Sequence, residues 1–104
     1  MLALALGACL APTLPIPPPV PEISAPNASG LVTVKGGPRS AQFGAVVYGC
    51  NQTTSCNDRI HGSAVSTNGS WDIDPLPAKS GDEIIVWQVI GQDTSPPSHP
   101  IAVP

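Results

Sequence analysis

The stretch EIIVWQVI, residues 83–90, is the part of the sequence that best indicates the fold. Its β-branched and aromatic residues favour a strand. If Ile84 and Val86 point into a core, the alternation of a strand directs Ile85, Trp87 and Val89 to the opposite face. The stretch therefore predicts a strand that is apolar on both faces.

Five further short runs have strand character: LVTVKG (31–36), FGAVVYG (43–49), IHGSAVST (60–67), SWDIDPL (70–76) and PIAVP (100–104). Turn-rich pieces such as GPRS, TNGS, AKSGD and GQDTSPPS separate them, a spacing typical of a sandwich or barrel. Alternation predicts that Val32 and Val34 share one buried face, as do Trp71 and Ile73. TNGS predicts a two-residue hairpin of type I′. We expect an all-β fold, a small antiparallel β-sandwich of six to seven strands over residues 30–104.

Composition excludes several functional classes. With 4 basic against 7 acidic residues among 104, the chain lacks a cationic patch for nucleic acid. No run reaches the 18 apolar residues of a membrane-spanning helix. The two histidines, His61 and His99, have no nucleophile or carboxylate linked to them by any motif. We therefore expect a protein that is not an enzyme and uses no cofactor.

The first residues indicate export. Residues 1–8 are small or apolar, and the tetrad LGAC that ends at Cys9 resembles the lipobox of bacterial lipoproteins. The resemblance implies that residues 1–8 are a signal peptide and that Cys9 carries lipid. A signal peptide usually opens with Lys or Arg, which this segment lacks, so either the true start lies upstream or the segment works poorly as a signal. The alternative is an ordinary thiol at Cys9.

Residues 9–29 comprise this cysteine and a proline-rich linker. Seven of the 14 prolines lie between positions 12 and 26, and each favours extended backbone. We expect a disordered tether that holds the domain away from a membrane. The alternative is a proline-rich ligand for an SH3-like partner.

The other two cysteines, Cys50 and Cys56, bracket the loop CNQTTSC. If Cys9 is lipidated, they form an even pair in a compartment that permits disulfides. A structural disulfide is favoured. A redox or metal site is the alternative, although a spacing of six positions is not the Cys-x-x-Cys motif and no second pair completes a metal site.

The second half of the chain, NGSWDIDPLPAKSGDEIIVWQVIGQDTSPPSHPIAVP, resembles bacterial Ig-like and carboxypeptidase regulatory-like modules. The first half, from residue 30, fits the same pattern more loosely. The resemblance implies an Ig-like sandwich and no chemistry. The positions that it assigns to turns or to the core are Asn68, Gly69, Ser70, Trp71, Gly81, Asp82 and Gly91.

Two sites are conceivable from the residues alone. An outward row of Ile85, Trp87 and Val89, joined by Tyr48, would form a contact patch for a protein or glycan. The alternative, which the sequence favours, is that this strand is central and covered on both faces. The second site is a calcium site. It is the less favoured interpretation, because acidic residues that alternate along a strand more often face solvent and aid solubility. Its ligands would be Asp72, Asp74, Asp82 and Glu83.

These observations predict a lipid-anchored surface lipoprotein of the bacterial cell envelope, at the outer membrane or cell surface rather than the inner membrane. Its domain would be a non-catalytic structural or interaction module. Its expected partners are the membrane, through the N-terminal lipid, and an envelope protein or glycan. A dedicated adhesion or glycan-binding module is the alternative.

Overall fold

The structure, a computed structural model, describes residues 16–54, 56 and 61–104, which form two antiparallel sheets packed face to face. The smaller sheet has the order β1-β2-β5, and the larger has β4-β3-β6-β7 with β8 also paired to β6. The prediction of a small all-β sandwich is confirmed. Within the described residues no helix has the length and apolar character needed to cross a membrane. The strands are β1 (Glu22–Ile23), β2 (Leu31–Gly36), β3 (Val46–Asn51), β4 (His61–Ala64), β5 (Trp71–Pro77), β6 (Glu83–Ile90), β7 (Asp93–Thr94) and β8 (Ile101–Ala102).

The core follows the alternation that the sequence predicts. Val32 and Val34 of β2 are fully buried, and so are Ile84 and Val86 of β6. Gly49 of β3 leaves room for the side chains of the two sheets to meet, because a Cβ there would lie about 3 Å from Ile73 and Val86. The remaining buried hydrophobic residues of this cluster are Ala45, Val47, Val65, Trp71, Ile73, Leu76, Ala78 and Val103.

Strand β6 is central, as predicted. It pairs with β3 from Val46↔Val89 to Asn51↔Ile84, and its other edge pairs with β7 and β8. Between these two short strands, the hydroxyls of Ser95 and Ser98 accept hydrogen bonds from β6 amides. The neighbouring Pro96 and Pro97 have no N–H to offer a further strand, so this segment closes the sheet edge.

The linker prediction is wrong for its second half. Glu22 and Ile23 form β1, which pairs antiparallel with Lys35 and Val34 of β2, and Pro19 is fully buried. Proline favours extended backbone, and extended backbone also suits the edge of a sheet, where a missing N–H is tolerated. Composition alone therefore could not distinguish a free tether from an edge strand. The sandwich begins well before the predicted boundary at Gly30.

A buried glutamine holds this N-terminal segment in place. Gln88 is only 1% exposed and lies on the inner face of β6. Its Nε2 donates to the carbonyl of Pro17 (2.6 Å), and its Oε1 accepts from the backbone N–H of Gln42 (3.0 Å). A buried amide must satisfy both of its ends, and Gln88 does so with backbone groups from two separate loops. Residues 17–23, which we call the N-terminal strap, are thereby attached to the larger sheet as well as to β2.

The turn between β4 and β5 differs from the predicted type I′ turn. Gly69 has φ of 89°, while Arg39 is the only non-glycine residue with positive φ among those described. Because type I′ requires positive φ at both central residues, Asn68 does not form one. Instead, Gly69 N donates to Ser66 O, and Ser66 N donates to Ser70 O. This is a three-residue hairpin loop with glycine in the left-handed position.

Candidate contact surface on the larger sheet

The outward side of the larger sheet carries an unusual concentration of apolar side chains. Every second cross-strand pair of β3 and β6 points outward, and these pairs are Val46↔Val89, Tyr48↔Trp87 and Cys50↔Ile85. All but the cysteine are partly exposed to solvent. We call this surface the aromatic face. Its members are Val46, Tyr48, Cys50, Ile85, Trp87 and Val89, together with Gly62 and Ala64 of the adjoining β4.

Tyr48 and Trp87 form the centre of the aromatic face. Their ring centroids lie 6.0 Å apart with an interplanar angle of 26°, a stacked arrangement. Gly62 lies opposite Tyr48 on β4, and a Cβ there would come within 3.1 Å of the tyrosine ring. The glycine therefore allows the ring to lie close against β4. Two rings that pack on one another have little side-chain entropy left to lose when a ligand binds. We call this pair of rings the platform.

The disulfide borders this platform. Cys50 and Cys56 are bonded, with Cα atoms 5.3 Å apart, so the predicted pairing is confirmed. Cys50 follows Tyr48 by two positions and therefore lies on the same side of β3. The bond closes a short loop at one end of the aromatic face and restrains the chain there.

A pair of polar side chains marks that same end. Gln52 continues the ladder after β3, with its N–H donating to Glu83 O (2.9 Å). Its side-chain Nε2 also donates to Glu83 Oε1 (3.2 Å), and both side chains are exposed. Glu83 is the only charged residue at the outward positions of β3, β4 and β6 in the described part of the chain. The aromatic face is thus uncharged except for one carboxylate at its edge.

Sequence reasoning identified Tyr48, Ile85, Trp87 and Val89 as one candidate surface, and the structure brings these four residues together. It favoured the interpretation that loops or the tail cover them. The described part of the tail instead adds β1 to the smaller sheet, and Trp87 keeps part of its surface exposed. The described part of the tail, residues 16–29, therefore does not cover these four residues, although Cys50 beside them on the same face is fully buried.

A second concave site lies between the two sheets at the Asn51 end. Its volume is about 230 Å³, and two of its polar side chains bind each other. Asn51 is buried, and its Nδ2 donates to Asp82 Oδ2 (2.8 Å) and to Pro77 O (3.3 Å). Asp82 also accepts from Lys79 N (2.9 Å). The cavity is lined by Gly30, Asn51, Thr54, His61, Leu76, Pro77, Ala78, Lys79 and Asp82.

The hydrogen bond from the Lys79 amide, and then the one from Asn51, lower the pKa of Asp82 below its ordinary value of 3.8. The carboxylate therefore stays ionised at neutral pH and closes the turn between β5 and β6. Asn51 and Gln88 were missed at the sequence level. Both occupy inward positions of their strands, so the alternation of β3 and β6 contained a signal for them.

The calcium site was the less favoured alternative, and the three of its candidate ligands whose side chains are described do not come together. Asp72 lies at the start of β5, while Asp82 and Glu83 follow the opposite end of that strand. Asp82 binds Asn51, and Glu83 binds Gln52. The side chain of Asp74 lies outside what the structure describes. In the described residues no three His, Cys, Asp or Glu side chains converge as a metal site would require.

The two histidines are far apart in the fold. His61 belongs to β4, at one edge of the larger sheet, whereas His99 lies between β7 and β8 at the other edge. Among the described side chains, no hydrogen bond joins either histidine to a serine or a carboxylate.

Comparison with known proteins adds no relative: the chain matches no protein-family model, no curated protein and no solved structure. The predicted lipid site, Cys9, and the predicted signal peptide lie outside the described residues.

Proposed function

We propose that this protein is a lipid-anchored lipoprotein of the bacterial cell envelope that displays a non-catalytic, Ig-like binding module. The aromatic face is its contact surface. The observation that carries the proposal is the stacked Tyr48–Trp87 pair, which remains partly exposed at the centre of an otherwise apolar sheet face. Large aromatic side chains left accessible on a rigid support are typical of contact surfaces.

The membrane attachment is proposed from the resemblance of LGAC to a lipobox. If Cys9 is acylated, the strap shortens the distance between lipid and domain. Seven residues, 10–16, separate Cys9 from Pro17, whose carbonyl Gln88 holds. At about 3.1 Å per residue they span roughly 20–25 Å at most. The domain would then work close to the surface that anchors it, which suits a partner that belongs to the same envelope.

The attachment is tested by the variant Cys9→Ala. We expect the unmodified chain to fractionate with membranes and Cys9→Ala to be released, because acyl chains provide the membrane affinity. The variant Cys56→Ala serves as a control that also removes one cysteine. It should still fractionate with membranes, and retention of Cys9→Ala there would contradict the lipid assignment.

The contact surface is tested separately, by sedimentation with isolated bacterial envelopes. All chains in this assay carry Cys9→Ser, so that lipid makes no contribution. We expect the parent chain and Lys35→Ala, on the opposite outer face, to sediment with the envelopes and Trp87→Ala to remain in solution. Equal sedimentation of Trp87→Ala and the parent, or no sedimentation of the parent, would contradict the proposal.

A further inference from the structure

Building on the proposed function, we propose that the aromatic face binds a neutral saccharide, with sugar rings stacked on Trp87 and Tyr48. Three features of the described residues support this ligand class: the chemistry of the platform, the size of the face and the polar pair at its end. The first two also argue against other partners, namely an anionic ligand and a second copy of the chain.

Among the described residues, the platform is apolar and uncharged. The C–H faces of a sugar ring are apolar and pack on the face of an aromatic ring, whereas its hydroxyls remain free at the rim. The two rings lie 6.0 Å apart, and each leaves part of its surface exposed for such a contact. The only charged outward residue of β3, β4 and β6 in the described chain is Glu83. A carboxylate at the edge disfavours anionic ligands, because it adds like-charge repulsion and no described residue at the outward positions of these strands is a compensating cation.

The size of the face argues against a second copy of the chain as the occupant. From Val46 to Gln52 along the strands, and across β4, β3 and β6, strand geometry gives at most roughly 20 Å by 15 Å, or about 300 Å². Part of this area is closed, because Cys50 is fully buried. A stable protein–protein interface needs about 800 Å² from each partner. The face is therefore too small for a lasting dimer, but it accommodates an oligosaccharide of a few rings.

The polar pair supplies the hydrogen bonds that an apolar platform lacks. A sugar hydroxyl both donates and accepts. The exposed Gln52 amide can donate to it, and the Glu83 carboxylate can accept from it. These side chains already lie side by side, with Nε2 and Oε1 3.2 Å apart. Counting only the outward-facing pairs, Gln52 and Glu83 lie two pairs along the strands from Trp87. One ligand a few sugar rings long can therefore reach both the aromatic rings and these polar side chains.

The experiment titrates the Cys9→Ser full chain, by calorimetry, with the neutral hexasaccharides of cellulose, chitin and xylan and with an oligogalacturonate as the anionic comparison. We expect binding of at least one neutral hexasaccharide and weaker or no binding of the anionic one. Trp87→Ala should bind about tenfold more weakly or worse. Trp87→Phe keeps an aromatic face and should lose much less. Lys35→Ala should match the parent.

Three results would overturn the saccharide. The first is that no neutral hexasaccharide binds although the chain still sediments with envelopes in a Trp87-dependent way. The contact surface would then stand, but its partner would belong to another class. If treating the envelopes with protease abolishes sedimentation, that partner is a protein. The second is stronger binding of the oligogalacturonate. The third is a Trp87-dependent dimer in analytical ultracentrifugation. If Trp87→Ala does not fold, as shown by the loss of its thermal transition, Trp87→Phe and Tyr48→Ala replace it. An affinity for the hexasaccharide that is unchanged in Tyr48→Ala also counts against the saccharide.

Discussion

The two outer faces of the sandwich contrast sharply in chemistry. On the smaller sheet the outward positions at one end carry charged side chains, with Glu22 opposite Lys35 and Lys35 opposite Asp72 across the strands, while Leu31 lies opposite Pro77 at the other end. On the larger sheet the equivalent rows carry the aromatic face. Both sheets bury their inner rows in the same core.

The difference teaches that the fold does not require an apolar outer face. The smaller sheet shows that charged residues satisfy the same strand alternation at the solvent side. The stacked rings on the larger sheet are therefore not explained by folding alone, and this is why we assign them to contact. The predictions below test the parts of the molecule on which the comparison depends.

The largest loss of stability is expected from a substitution in the core, on which both sheets pack. Ile84 is fully buried, and its neighbour Ile85 is on the aromatic face. Ile84→Ala should lower the free energy of unfolding by about 3 kcal/mol, since it removes buried methyl groups and leaves a cavity. Ile85→Ala, the matched control, should cost about 1 kcal/mol or less. Urea unfolding measures both. Equal losses would show that the aromatic face is as buried as the core.

The next effect concerns the strap. Gln88→Leu leaves the Pro17 carbonyl and the Gln42 N–H without their buried partner, so we expect a loss of about 2–3 kcal/mol. The strap should also become sensitive to protease before the domain unfolds. Gln92→Leu, at an exposed position, serves as the control. An equally resistant strap in Gln88→Leu would show that Gln88 does not hold it.

Removing the disulfide should have a somewhat smaller effect. The double variant Cys50→Ser with Cys56→Ser should lose about 2 kcal/mol, the value that loop entropy gives for a loop of seven residues. Differential scanning calorimetry of oxidised and double-variant chains measures it. An identical melting temperature would show that the bond does not stabilise the edge of the aromatic face.

The smallest effect is a pH dependence at the cavity end. Because the folded-state pKa of Asp82 lies below its ordinary value, the contribution of this group is fully present above about pH 5 and is lost as the pH falls through the folded-state pKa. Unfolding curves from pH 6 to pH 2 should thus fall less steeply in Asp82→Asn than in the parent. Parallel curves would contradict the role of Asp82 in that turn.

How far the sequence could predict this molecule depends on which interactions decide each feature. Alternation placed Val32, Val34 and Ile73 in the core because burial follows a period of two. Spacing and parity of the cysteines gave the disulfide. The same reasoning grouped Tyr48 with Trp87, since both occupy outward positions of apolar runs.

The strap and the polar core residues depend on contacts between distant segments. Gln88 reaches Pro17 across 71 positions of sequence, and no local pattern reports such a bond. A proline-rich segment has the same extended preference whether it is free or pairs with an edge. Whether the aromatic face is covered by the tail therefore required the tertiary structure.

The most direct test of the contact surface uses the two tryptophans of the chain as internal reporters. Trp71 is buried between the sheets, at 4% exposure, and Trp87 lies on the aromatic face. Their indole N–H signals are followed by nuclear magnetic resonance while soluble envelope fragments are added to the Cys9→Ser chain. We expect the Trp87 signal to shift or broaden while that of Trp71 stays unchanged. An unchanged Trp87 signal, with binding shown by sedimentation, would place the contact elsewhere and contradict the account.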